Sequence, residues 1–223
     1  MKAQGVKRAR PYENRNRQEQ ARQTRLRVID AARLLFVRDG YASTTIQALA
    51  DEAGVAVQTI YASFGTKREV LKQLFDISVV GDDEQVALVE RPEWRAWEEE
   101  SHAERQVELF ALAQRIVSER AADVMRVLSA AATGDPEITH LYEEAEAARY
   151  GDQRRLADLL SRQSRLREGL TARRAADIIW TLAGPGTYTD LVQRRRWSAH
   201  DYERWLAEQL CAALLETDGR NLR

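Results

Sequence analysis

The sequence is short of the residues that break, staple or anchor a chain. Four prolines and eleven glycines in 223 residues leave few forced interruptions. A single cysteine, Cys211, cannot staple the chain to itself, which excludes a disulfide scaffold and fits a reducing, cytoplasmic setting. No apolar run approaches the ~20 residues that cross a bilayer. The opening stretch MKAQGVKRARPYENRNR lacks the apolar segment of a secretory signal, so no membrane partner is expected. Histidine is scarce too: His102, His140 and His200 lie far apart with no ligand-like spacing, and no glycine-rich phosphate loop is present. An enzyme, a metal site and a bound cofactor are therefore not expected.

What is abundant is Ala, Leu, Arg and Glu, a mixture that favours helix at most positions. Hydrophobic residues make up 44% and charged residues 31%, enough to bury a core and stay in solution. Helical periodicity without strand alternation predicts an all-α chain of about nine helices. The net charge of −1 conceals a division. Residues 1–80 hold 14 Lys and Arg against 8 Asp and Glu, and the remainder holds 20 against 27. A basic first part joined to an acidic second part suggests that only the first meets a polyanion.

Three segments are expected: a flexible basic arm over residues 1–18, a domain over 19–80, and a second domain over 81–223. The first helix carries Leu26, Ile29, Ala32 and Phe36 on one face and stops at Gly40. Thr44 with Gln47, Thr66 with Glu69, and Ser101 with Glu104 fit capping boxes. Residues 81–100 are an acidic break that includes Trp94 and Trp97. Helices then follow from Ser101, from Ala121 to Ala132, from Asp135-Pro136 to about Arg165, and from Thr171. Gly184-Pro185-Gly186 bends or breaks the Thr171 helix, and Ser198 opens the last.

Function is concentrated between Thr44 and Phe64. Ile46, Leu49, Ala50, Gly54, Val55 and Ile60 have the spacing of a helix-turn-helix. Ala50 must be small where a second helix crosses it. Gly54 sits at a sharp turn that requires positive φ. Val55 and Ile60 plug the crossing. A helix of this kind enters the major groove of DNA with its N-terminal residues at base edges. Gln58 is the direct reader, since its amide can pair with adenine. Thr59 and Ala62 can touch a thymine methyl or a phosphate, and Ser63 can offer a short hydroxyl contact. Thr44, Thr45 and Lys67 would reach phosphates from helix starts. Phe64 is read as core. Arg15 and Arg17 are candidates for an adjacent minor groove.

The stretch from Gly40 to Leu71 closely resembles the DNA-binding domain of the TetR family of repressors. The features that carry the resemblance are Gly40-Tyr41, Thr44-Thr45, Ile46, Ala50, Gly54-Val55, Thr59-Ile60-Tyr61, Phe64, Lys67 and Leu71. The resemblance implies that Tyr61 contacts a phosphate. It also shows one departure, because Ala56 stands where the family usually caps the recognition helix with Ser or Thr.

For the second domain the resemblance implies an effector pocket and a dimer interface. The pocket candidates are Trp97, Phe110, Gln114, Met125, His140, Tyr142, Trp180 and Tyr188, a set suited to a small, largely apolar effector. Ile178, Ile179, Leu191, Trp205, Leu206, Leu210 and Leu214 are the candidates for the dimer face. A homodimer implies a palindromic operator. The resulting expectation is a ligand-responsive repressor released by its effector. The alternative is a ligand-independent DNA-binding regulator or an activator.

Overall fold

The computed structural model describes residues 9–84 and 86–216, with side chains from Asn16 onward. Every element is helical, and among the described residues the only β-type pairing is an isolated bridge between Leu166 and Leu215. The chain divides into two compact units between Leu74 and Phe75.

The first unit contains α1 (Ala9–Asp39), α2 (Ile46–Ala53) and α3 (Val57–Phe64), and it takes in the start of α4 (Lys67–Val80). The predicted arm differs from this. Its residues 1–8 lie outside the described residues, and residues 9–18 are part of α1 rather than a non-helical lead-in. Of the predicted stripe, Ile29, Ala32 and Phe36 are buried and Leu26 is half-buried; Leu49, Ala50, Ile60, Phe64, Val70 and Leu71 are also buried in this unit. Burying each large side chain here contributes about 1.5–3 kcal/mol, which is what holds two helices as short as α2 and α3.

The capping predictions fare differently from one another. Thr66 accepts the Glu69 amide at 3.1 Å, as expected. At α2 the cap is Thr45, which accepts from Ala48 N at 3.0 Å. Thr44 instead turns inward and donates to the Gly40 carbonyl at 2.9 Å, while Gln47 reaches forward to Asp51. Ser101 does not cap either. The cap position of α6 is His102, which makes no side-chain cap, and the Glu100 carboxylate accepts from the amides of Ser101 and His102 just before the helix.

The second unit holds α5 (Pro92–Glu98), α6 (Ala103–Ala132), α7 (Pro136–Arg162), α8 (Ala172–Leu182), α9 (Pro185–Tyr188) and α10 (Ala199–Leu214). The two helices expected on either side of residue 121 are one continuous α6. α9 runs straight into a π-helical stretch, Thr189–Arg194. Asp135, Thr171 and Ser198 cap α7, α8 and α10 as predicted. The acidic break over residues 81–100 contains α5, which the pattern did not predict. Its Trp94 and Trp97 are buried against Phe110, with ring centroids 5.4–6.5 Å apart. The charges lie on the outside of a segment whose two indoles are core.

Gly54 has φ +64° and ψ +41°, and its amide closes α2 on the Ala50 and Asp51 carbonyls. Nothing crowds a Cβ there, so conformation alone sets the requirement. Gly54→Ala is expected to cost about 1 kcal/mol, read as a lower urea midpoint for the first unit. Gly134→Ala, at a glycine with neither crowding nor positive φ, should leave the midpoint unmoved.

Candidate functional site

The exposed side of α3 is the first candidate surface. Ile60 and Phe64 anchor the helix in the core, which leaves Gln58, Tyr61 and Ala62 facing outward. Tyr61 is 54% exposed. Thr59 and Ser63 flank this face and are half-buried, and Thr45 is exposed at the start of α2. Ala56 precedes α3 in an extended conformation and makes no side-chain cap. Ala56→Ser is expected to stabilise the start of α3 by about 1 kcal/mol, seen as slower hydrogen exchange at its first amides.

Two of the predicted phosphate contacts have other work. Thr44 is only 3% exposed, and its hydroxyl is held by Gly40. Lys67 donates from Nζ to the carbonyls of Tyr41 at 2.8 Å and Thr44 at 2.9 Å. Its ammonium also lies 4.2 Å from the Tyr41 ring centroid. These contacts tie the start of α4 to the loop before α2. Sequence reasoning missed Arg25 altogether: its guanidinium lies over the Phe64 ring and donates to Gln73, which in turn donates to Glu69. Arg25 therefore braces the end of α3 from α1.

The second candidate is a cleft within the second unit, partly open to solvent. Its walls come from Phe75 and Val79 on α4, Leu88, Trp94 on α5, a face of α6 including Gln114, Ser118 and Met125, and Ala145 to Asp152 on α7. Of the predicted pocket residues, Gln114 and Met125 line it. Trp97 and Phe110 are packed in the core behind it, and Tyr188 is buried edge-on against Tyr202. His140 is exposed and pairs with Glu144. Tyr142 is half-buried and does not line the cleft. Trp180 is 40% exposed; its indole donates to Glu146, and Arg149 stacks on its ring.

The predicted dimer face also divides. Ile179, Leu206, Leu210 and Leu214 are fully buried within the unit's own core and present nothing to a second copy. Ile178, Leu191 and Trp205 keep part of their surface. Trp197, 37% exposed, packs edge-on against Trp205.

Burial, with Glu104 and Glu108 nearby, pushes the Cys211 thiol up to about 11, so it is no nucleophile at neutral pH. No group of three or more His, Cys, Asp or Glu among the described residues could hold a metal ion. None of their helices is long and apolar enough to cross a membrane.

Asp152 is the one strongly perturbed acid on the cleft wall. Burial raises it from an ordinary 3.8 to about 6; Arg155 opposes that rise and Glu98 reinforces it. The folded state holds this proton more tightly than the unfolded chain, so stability falls as pH rises through the interval from 3.8 to about 6 and stays lower above it. Asp152→Asn is expected to flatten that interval. At neutral pH, urea unfolding should then show a gain of about 1–2 kcal/mol after allowance for partial solvent screening.

Residues 28–74 match the model of the family described as bacterial regulatory proteins, tetR family. A 62-residue stretch is 39% identical to the HTH-type transcriptional regulator TtgR of Pseudomonas putida, covering 28% of this chain and 30% of that protein. The chain thus matches under a third of the length of that relative. Among solved structures, the transcriptional regulator FadR of Bacillus subtilis, in complex with stearoyl-CoA, superposes with a TM-score of 0.68. It is 19% identical, over 84% of this chain and 98% of that one. NalD, the secondary repressor of the MexAB-OprM multidrug efflux pump in Pseudomonas aeruginosa, gives 0.66 at 21% identity. That match spans 92% of this chain and all of NalD. These likenesses to whole chains extend the shared fold across both units.

Proposed function

We propose that the protein is a TetR-family DNA-binding transcriptional repressor released by a small-molecule effector, a reading supported by the match of residues 28–74 to that family. The observation that carries the reading is the outward face of α3, with an amide at Gln58 and an exposed phenol at Tyr61 on a helix pinned from behind by Ile60 and Phe64. Such a helix presents Gln58 to a base edge and Tyr61 to a phosphate. Thr45, Thr59, Ala62 and Ser63 complete the contact surface. The apolar cleft of the second unit is the effector site. Its largely apolar walls with a few polar groups are of the kind that hold small molecules, and a structural relative of the same fold carries stearoyl-CoA.

Coupling between the two runs through α4. Lys67 and Val70 in its first turns belong to the domain that carries α3, and Phe75 and Val79 further along line the cleft. A ligand that prefers a displaced α4 draws the recognition helix away from its DNA-bound placement. The protein acts in the cytoplasm as a homodimer on a palindromic operator, with Ile178, Leu191 and Trp205 the remaining candidates for the dimer surface. A repressor reading follows NalD in fold; a ligand-independent regulator or an activator is the alternative.

Binding to DNA from the protein's own upstream region tests this. Wild type should bind tightly, and binding should weaken with salt. Gln58→Ala should relax preference at one operator position by about 1–3 kcal/mol. Tyr61→Ala should weaken all sequences alike. Equal affinity for scrambled DNA would contradict a sequence-reading α3.

A further inference from the structure

The cleft is lined mainly by apolar side chains, with Gln114, Ser118, Arg149 and Asp152 as its polar members. Asp152 stands on its α7 wall, and among the described residues its carboxylate has no hydrogen-bond or ion-pair partner. The nearby cations are already matched. Arg149, one turn earlier on the same wall, is held by Glu146 through paired contacts at 2.8 and 3.2 Å. It also donates to the Trp180 carbonyl and stacks on that ring. Arg155 pairs with Glu98 at 2.8 Å. Two cations therefore face three carboxylates, and the unmatched negative charge is the one that borders the cleft.

An unpaired carboxylate at an apolar wall is poorly solvated, and a cation is the partner that restores what burial took away. Trp94 lines the same cleft, bringing an aromatic ring of the kind that attracts cations. The alanines at 121, 122, 145 and 148 leave the volume for an apolar body. We propose that the cleft takes a lipophilic organic cation, its ammonium paired with Asp152 and its hydrocarbon or aromatic part against α6. This rests on the reading of the cleft as the effector site and names the chemical class of effector. An anionic amphiphile of the same size is excluded by the same charge.

The test uses three compounds of one shape at neutral pH: 4-phenylbutyl-trimethylammonium, 4-phenylbutanol and 4-phenylbutanesulfonate. Each is titrated calorimetrically into the full-length protein and into Asp152→Asn and Ala148→Trp. The ammonium compound should bind wild type most tightly and the sulfonate least. Asp152→Asn should weaken the ammonium compound on the order of tenfold and leave the alcohol unchanged. A cooperative melt at least as high as that of wild type shows that this variant is folded. Ala148→Trp, at the exposed edge of the cleft, should block the ammonium compound and the alcohol together. If the alcohol binds wild type as tightly as the ammonium compound, or Asp152→Asn leaves ammonium affinity unchanged, the cation proposal fails while the effector cleft stands. If none of the three binds, or Ala148→Trp changes nothing, the cleft is not the binding site and both readings fail.

Discussion

One ammonium group holds the DNA-facing domain in register. At eight residues each, α2 and α3 are too short to be stable alone, and their placement depends on the loops beside them. Lys67 closes the loop before α2, donating to the carbonyls of Tyr41 and Thr44 from the first turn of α4 and lying against the Tyr41 ring. A charged donor holds such carbonyls more strongly than a neutral one. With the loop fixed, Thr45 caps α2, Gly54 turns the chain, and Ile60 and Phe64 seat α3. Arg25 completes the arrangement from α1 by covering Phe64.

The second unit follows a different rule. Its large aromatics cluster as core: Trp94, Trp97 and Phe110 on one side, Tyr188 and Tyr202 on the other. Space remains where α6 and α7 face each other through small side chains, and that space is the cleft. The same residues that cannot fill the gap leave Asp152 bordering it without a partner. α4 enters both descriptions, since its beginning fixes the recognition helix and its end lines the cleft.

Much of this was legible in the residue order, and the rest has physical reasons for having been hidden. The turn was readable because only a few residue types tolerate a left-handed backbone, and Gly54 sits where the apolar spacing changes phase. The choice between Thr44 and Thr45 as cap was not, because both side chains can cap and only the path of the loop decides which faces the amides. The carbonyl contacts of Lys67 were hidden for a related reason: a lysine at a helix start suits a phosphate and a pair of carbonyls equally well. Ile179, Leu206, Leu210 and Leu214 were assigned to a dimer face because an apolar stripe says that a surface is covered without saying by what. The pocket was sought among aromatics, whereas volume is left by alanines, which carry no signal of their own. Gln114 and Met125 were found because polar and flexible residues inside a helical core need a reason to be there.

The central claim is that Lys67 builds the DNA-reading surface rather than touching DNA, and the salt dependence of DNA binding tests it most directly. Affinity for upstream DNA is measured across a series of salt concentrations for wild type and Lys67→Met, alongside thermal unfolding. The account predicts a less stable domain and weaker binding with an unchanged slope of log affinity against log salt, because no phosphate contact is lost. A slope shallower by about 0.9, the value of one released phosphate contact, with unaltered thermal stability, would contradict it.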